Sequence, residues 1–94
     1  ANDSVGIRGE ITEIFLNGEG KVAAVLVEGK MESDTSYDKA RVGIAENSVI
    51  LKTNGQELEP EDLKKGMKVE VVFQGHIAES YPVQGKAKAI RVLD

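Results

Sequence analysis

Along the first part of the chain, apolar side chains recur at every second position. Val5, Ile7, Gly9 and Ile11 share one parity whereas Ile14 and Leu16 take the other, so the apolar face slips by one residue near Thr12 and Glu13. A single inserted residue turns every later side chain to the opposite face of a strand, and the slip therefore predicts a β-bulge in a bent first strand. Asn17-Gly18-Glu19-Gly20 supplies residues that tolerate positive φ, which makes Lys21 to Val27 the returning arm of a hairpin. Both parities of that arm are apolar, which predicts burial on both faces.

After the polar stretch from Glu28 to Ser36, Ala40, Val42 and Ile44 alternate with Lys39, Arg41 and Gly43, the pattern of a third strand with one wet face. Val49-Ile50-Leu51 is a short apolar piece that stops at the Asn54-Gly55 turn. From Glu59 to Gly66 the chain places Pro60 first, acids next, then lysines, then a glycine, which predicts a helix of one or two turns over about Pro60 to Lys65. Met67, Val69, Val71 and Phe73 alternate with Lys68, Glu70 and Gln74 as a fourth strand. Gly75 to Gly85 is expected to be a well-ordered loop. Lys86 to Leu93 forms a fifth strand with a second parity slip, because Ala87 and Ala89 are out of phase with Ile90 and Val92.

Five strands, a bent first strand and one short helix between the third and fourth strands are the ingredients of a small five-stranded Greek-key barrel of the oligonucleotide/oligosaccharide-binding (OB-fold) type. A small open β-sandwich or an SH3-like barrel is the alternative, since strand count is easier to read than pairing order.

Composition narrows the functional classes. At 94 residues the chain is expected to be a single domain spanning 1–94, and folding removes only about 60–65% of the surface its unfolded form exposes. Twelve Lys+Arg against 16 Asp+Glu leave a net charge of −4, and aromatics make up only 4% of residues. Both features oppose nucleic-acid binding, which draws on phosphate neutralisation and base stacking. The absence of cysteine excludes disulfides, a thiolate nucleophile and thiolate metal sites. The longest apolar run, Val22 to Val27, is far short of the ~18–20 residues needed to span a bilayer as a helix. The chain starts at Ala1, and any signal peptide is expected in a segment upstream of it.

The segment Asp62-Leu63-Lys64-Lys65-Gly66-Met67-Lys68-Val69-Glu70-Val71, followed by Gly75-His76-Ile77-Ala78-Glu79-Ser80-Tyr81-Pro82-Val83-Gln84 and Lys86-Ala87-Lys88-Ala89-Ile90, resembles the YobA-like family. Its most specific element is Ala78-Glu79-Ser80-Tyr81-Pro82 with Gln84; Gly9-Glu10-Ile11 and Tyr37 to Ile44 fit more loosely. Members are small domains of unknown function in exported, often lipid-anchored proteins of Gram-positive bacteria. The resemblance implies a barrel-like fold and an extracytoplasmic location, secreted or anchored to the outer face of the membrane. It brings no catalytic or binding residues with it.

Several constellations admit a chemical and a structural interpretation. His76, the single histidine, stands near Glu79, Ser80 and Tyr81, and His, acid and Ser could make a hydrolase-like set. With no recognisable oxyanion-hole motif, a loop histidine bonded to neighbouring backbone is preferred. Glu32, Asp34 and Asp38, interleaved with Ser33, Thr35 and Ser36, offer oxygen to a hard cation but lack the EF-hand spacing, so a solvated loop is expected. Lys64, Lys65 and Lys68 suit a helix end, and Lys86 and Lys88 suit protection of a strand edge. Tyr81 precedes Pro82, which biases it towards extended backbone and permits a cis bond; its ring is expected to pack over a barrel end while Glu79 or Ser80 satisfies loop backbone. In barrels of this type the same loop flanks the ligand groove.

The resulting expectation is a non-enzymatic, exported or membrane-associated binding module, with a purely structural partner-contact domain of a lipoprotein as the alternative. Its candidate ligand or partner residues are His76, Glu79, Ser80, Tyr81, Pro82 and Gln84. No catalytic residue, metal or cofactor is assigned. The expected partner is a protein, peptide, saccharide or small ligand and not a nucleic acid. Contact with the membrane is expected only through an upstream lipid anchor, and the domain is expected to be monomeric.

Overall fold

A computed structural model describes residues 4–93. The described residues form six strands, β1 (Ile7–Leu16), β2 (Val22–Glu28), β3 (Lys39–Gly43), β4 (Val49–Lys52), β5 (Lys68–Ala78) and β6 (Val83–Leu93), with a 3₁₀ turn at Pro60–Asp62. β2 pairs antiparallel with β1 and β3, β1 with β5, and β5 with β6. A parallel pairing of β3 with β6, from Ala40 opposite Val83 to Gly43 opposite Lys86, closes β1-β2-β3-β6-β5 into a five-stranded Greek-key barrel. The closure excludes the open sandwich. β4 is a sixth strand, lying parallel to the second half of β6.

Both parity slips are bulges. Ile11 opposes Val27 and Glu13 opposes Leu26, so Thr12 is the extra residue of β1; its hydroxyl donates to the Glu28 carboxylate at 2.7 Å. In β6, Val72 opposes Ala89 and Phe73 opposes Ala87, so Lys88 is extra. The bulges swing Ile7, Ile11 and Ile14 on β1, and Ala87, Ile90 and Val92 on β6, towards one core, which Val25, Val27, Val69 and Val71 complete.

The expected helix over Pro60 to Lys65 is only the 3₁₀ turn, which ends at Leu63 in extended conformation. Burying Leu63 in the core takes the chain off the helical path, and Gly66, at φ 93°, donates instead to the Ile11 carbonyl. Without a helix end there, dipole complementation does not explain Lys64, Lys65 and Lys68. Lys86 does not guard an edge either, since β6 is paired on both sides at that point.

One end of the β1–β2 pair is closed by a very close backbone approach. A Cβ on Gly9 would sit 2.2 Å from the Glu28 carbonyl oxygen, and one on Gly29 would sit 2.2 Å from that of Arg8. Only glycine fits at these positions. The polar stretch that follows is not merely a solvated loop: the Ser36 and Tyr37 amides both donate to the Gly6 carbonyl at 2.9 Å, and Arg8 holds Glu32 and Asp34.

Candidate functional site

The expected Gly75–Gly85 loop is mostly strand. β5 continues to Ala78 and β6 begins at Val83, which leaves residues 79–82 as a tight hairpin tip. Between Gln74, opposite Lys86, and Ala78, opposite Gln84, the residues Gly75, His76 and Ile77 face Gly85 alone. Gly75 takes φ 70°, and a Cβ on Gly85 would lie 2.9 Å from the Phe73 ring and 3.2 Å from Ile77. The two glycines thus let the hairpin fold down on Phe73, whose ring also meets Tyr37 edge-on at 5.9 Å. An irregularity of this kind re-aims side chains, and here it turns His76 towards β3.

The result is an open groove of about 360 Å³ across β2, β3, β5 and β6. Small residues make up much of its lining beside Ile44, with Ala24 opposite Gly43 in register. Arg41, His76, Gln84 and Lys86, all exposed, stand around it. Strand alternation explains the placement: Ala40, Val42 and Val83 point into the core, so Arg41, Gln84 and Lys86 point out on one face. Arg41 lays its guanidinium over the Phe15 ring, 4.6 Å from the centroid. No aspartate or glutamate lines the groove, and among the described residues neither Arg41 nor Lys86 has an ion-pair partner.

The six candidate residues divide between two places. His76 and Gln84 stand in the groove, and His76 is an exposed strand residue with no side-chain hydrogen bond among the described residues, rather than a loop histidine tied to backbone. Glu79, Ser80, Tyr81 and Pro82 form the hairpin tip, where the Tyr81-Pro82 bond is cis and the Ser80 hydroxyl donates to the Pro82 carbonyl at 2.9 Å. Tyr81 does not pack over a barrel end: it is 71% exposed. A four-residue tip needs no apolar anchor once the strands on either side are paired and its own hydroxyl closes it. Ser80 is engaged with Pro82, and no hydrogen bond joins His76, Glu79 and Ser80 among the described residues.

A second polar surface surrounds Arg8. Its Nη1 donates to Glu32 at 2.6 Å, Nη2 to Asp34 at 2.8 Å and Nε to Glu70 at 2.9 Å. Glu70, only 8% exposed, also accepts from Arg91. Hydrogen bonds to Asp34, Glu32 and Glu70 push the Arg8 pKa further up, and the Arg8 guanidinium holds the Asp34 carboxyl below its ordinary value. Arg8 has its donors occupied by the protein itself.

Nothing in the sequence pattern singles out Arg41 or Phe15 as site residues, and it points Lys86 to edge protection instead. Arg41 and Lys86 occupy outward positions of their strands, and only the β3–β6 pairing reveals that they share a face.

The fold and groove define a class: a small OB-type Greek-key barrel with an open, acid-free groove between its third strand and the β5–β6 hairpin. The chain belongs to the family described as protein of unknown function (DUF3221), whose model matches residues 19–94. The match begins in the β1–β2 turn, so β1, which supplies Ile7 and Ile11 to the core, lies ahead of it. No curated protein and no solved structure matches the chain significantly.

Proposed function

We propose that this domain is a non-enzymatic binding module and that its site is the groove between β3 and the β5–β6 hairpin. The observation that carries this reading is the convergence of Arg41, Lys86, His76 and Gln84 on an open concavity whose lining holds no carboxylate. The volume of about 360 Å³ falls within the size of small-ligand sites. The net charge of −4 and the scarcity of aromatics favour a ligand other than a nucleic acid. Engagement of the Ser80 hydroxyl by the Pro82 carbonyl supports binding over hydrolysis. The YobA-like resemblance adds an extracytoplasmic setting, secreted or held by an upstream lipid anchor.

The alternative of a partner-contact domain is favoured by one observation, the exposed ring of Tyr81 on the hairpin tip. Backbone amide shifts recorded during a ligand screen separate the two. Groove binding moves the amides of Arg41, Gly43, Gln84 and Lys86, whereas partner contact through the tip moves those of Glu79 to Tyr81 and leaves the groove unchanged.

A further inference from the structure

Resting on the groove reading, we infer that the groove recognises a small ligand through one anionic oxygen group, a carboxylate or a phosphate, seated between Arg41 and Lys86. The chain carries more acid than base, 16 residues to 12, yet this groove gathers Arg41, Lys86 and His76 with no acid among its lining residues. Elsewhere the described arginines are spent on carboxylates: Arg8 on Glu32, Asp34 and Glu70, and Arg91 on Glu70. Arg41 and Lys86 keep their donors for something outside the protein.

Geometry supports the pairing of these two residues. Arg41 is in register with Gln84, and Lys86 lies two residues further along the same strand, so the two cations are diagonal neighbours on one face. Such neighbours stand about 7–8 Å apart at their bases, within reach of two long side chains. The Phe15 ring beneath the Arg41 guanidinium fixes the plane of that group without using its N–H donors, so less freedom is lost when the fork meets two oxygens. Lys86 adds a point charge and Gln84 an amide donor. Ala24 and Gly43 are among the small residues that line the groove beside these two cations.

The test is a titration of isotope-labelled protein with inorganic phosphate, with succinate and with the uncharged isostere succinamide, at constant ionic strength maintained with chloride. The expected result is saturable movement of the Arg41, Gly43, Gln84 and Lys86 amides with phosphate, succinate or both, and none with succinamide. Affinity falls at least tenfold in both Arg41→Gln and Lys86→Gln, while amides remote from the groove keep the parent pattern and so report an intact fold. Saturation by phosphate alone identifies a phosphate group, and by succinate alone a carboxylate. Succinamide acting as well as succinate would overturn the anion inference but leave the groove as a site. Shifts that are linear, map elsewhere or survive both substitutions would also overturn it, and so would silence with both anions. The groove reading itself fails only if the wider neutral and charged screen also leaves these amides unmoved.

Discussion

Arg8 and Arg41 are strand residues of the same small barrel, and they are used in opposite ways. Arg8 meets three carboxylates, two of which belong to the polar stretch between β2 and β3, so its charge ties that stretch to β1 and to the buried Glu70. Beside it the backbones of Gly9 and Gly29 approach so closely that no side chain fits. Arg41 meets no carboxylate, rests on Phe15 and faces a groove with small residues in much of its lining. Arg41 is the one described arginine left without a carboxylate. The surface around Arg8 is already satisfied from within and reads as architecture, whereas the surface around Arg41 has donors to offer.

Breaking the architectural side is expected to give the largest effects. Gly9→Ala drives a methyl group into the Glu28 carbonyl, and a loss of about 3 kcal/mol is expected, at the upper end of overpacking penalties. Equilibrium urea unfolding reads it directly; a loss under about 1 kcal/mol would mean that the β1–β2 end gives way easily. Glu70→Ala removes the acceptor shared by Arg8 and Arg91. Because both arginines keep some contact with water, about 2 kcal/mol is expected, less than the ~3–5 kcal/mol for a fully buried pair. Glu70→Gln, which retains an acceptor oxygen, should fall in between, and thermal unfolding of the two variants ranks them.

The Arg8 cluster also sets a pH dependence. Arg8 holds the Asp34 carboxyl below its ordinary 3.8, so the unfolded chain binds the proton more readily than the folded one. The stabilisation is complete above that ordinary value and is lost as pH falls through the lower folded-state value. Urea midpoints measured from about pH 6 down to about pH 2 should therefore fall less steeply in Asp34→Asn than in the parent. Parallel curves would remove Asp34 from the cluster's energetics.

The smallest effect belongs to the hairpin tip. With its ring 71% exposed, Tyr81→Ala is expected to change stability by less than about 0.5 kcal/mol. A loss of 2 kcal/mol or more, on the order of a large-to-small core truncation, would show that the ring is buried in solution.

The contrast between the two arginines also marks what could be read from the chain alone. Signals carried by consecutive residues were legible: the parity slips near Thr12 and between Ala87 and Ile90 are bulges, and Asn17 to Gly20 is a hairpin turn. What depends on distant partners was not. β4 joins the sheet through a parallel pairing with β6, some forty residues away, and nothing in Val49-Ile50-Leu51 announces it. Gly75 and Gly85 read as loop boundaries because their conformational freedom is a local property, whereas their use, letting a hairpin fold over Phe73, is a tertiary one. The same limit governs the site. His76 and Gln84 could be singled out near an unusual string, but Arg41 looked like one polar residue on a wet face until β3 lay beside β6. Tyr81 misled because an aromatic before proline suits both a packed corner and an exposed tip.

The most direct measurement compares equilibrium urea unfolding of Arg8→Gln and Arg41→Gln under identical conditions. If Arg8 is architecture and Arg41 is held for a ligand, Arg8→Gln lowers the midpoint clearly. Arg41→Gln then costs no more than the ~0.5–1 kcal/mol of an exposed cation–π contact. Equal losses, or a larger loss for Arg41→Gln, would contradict that division.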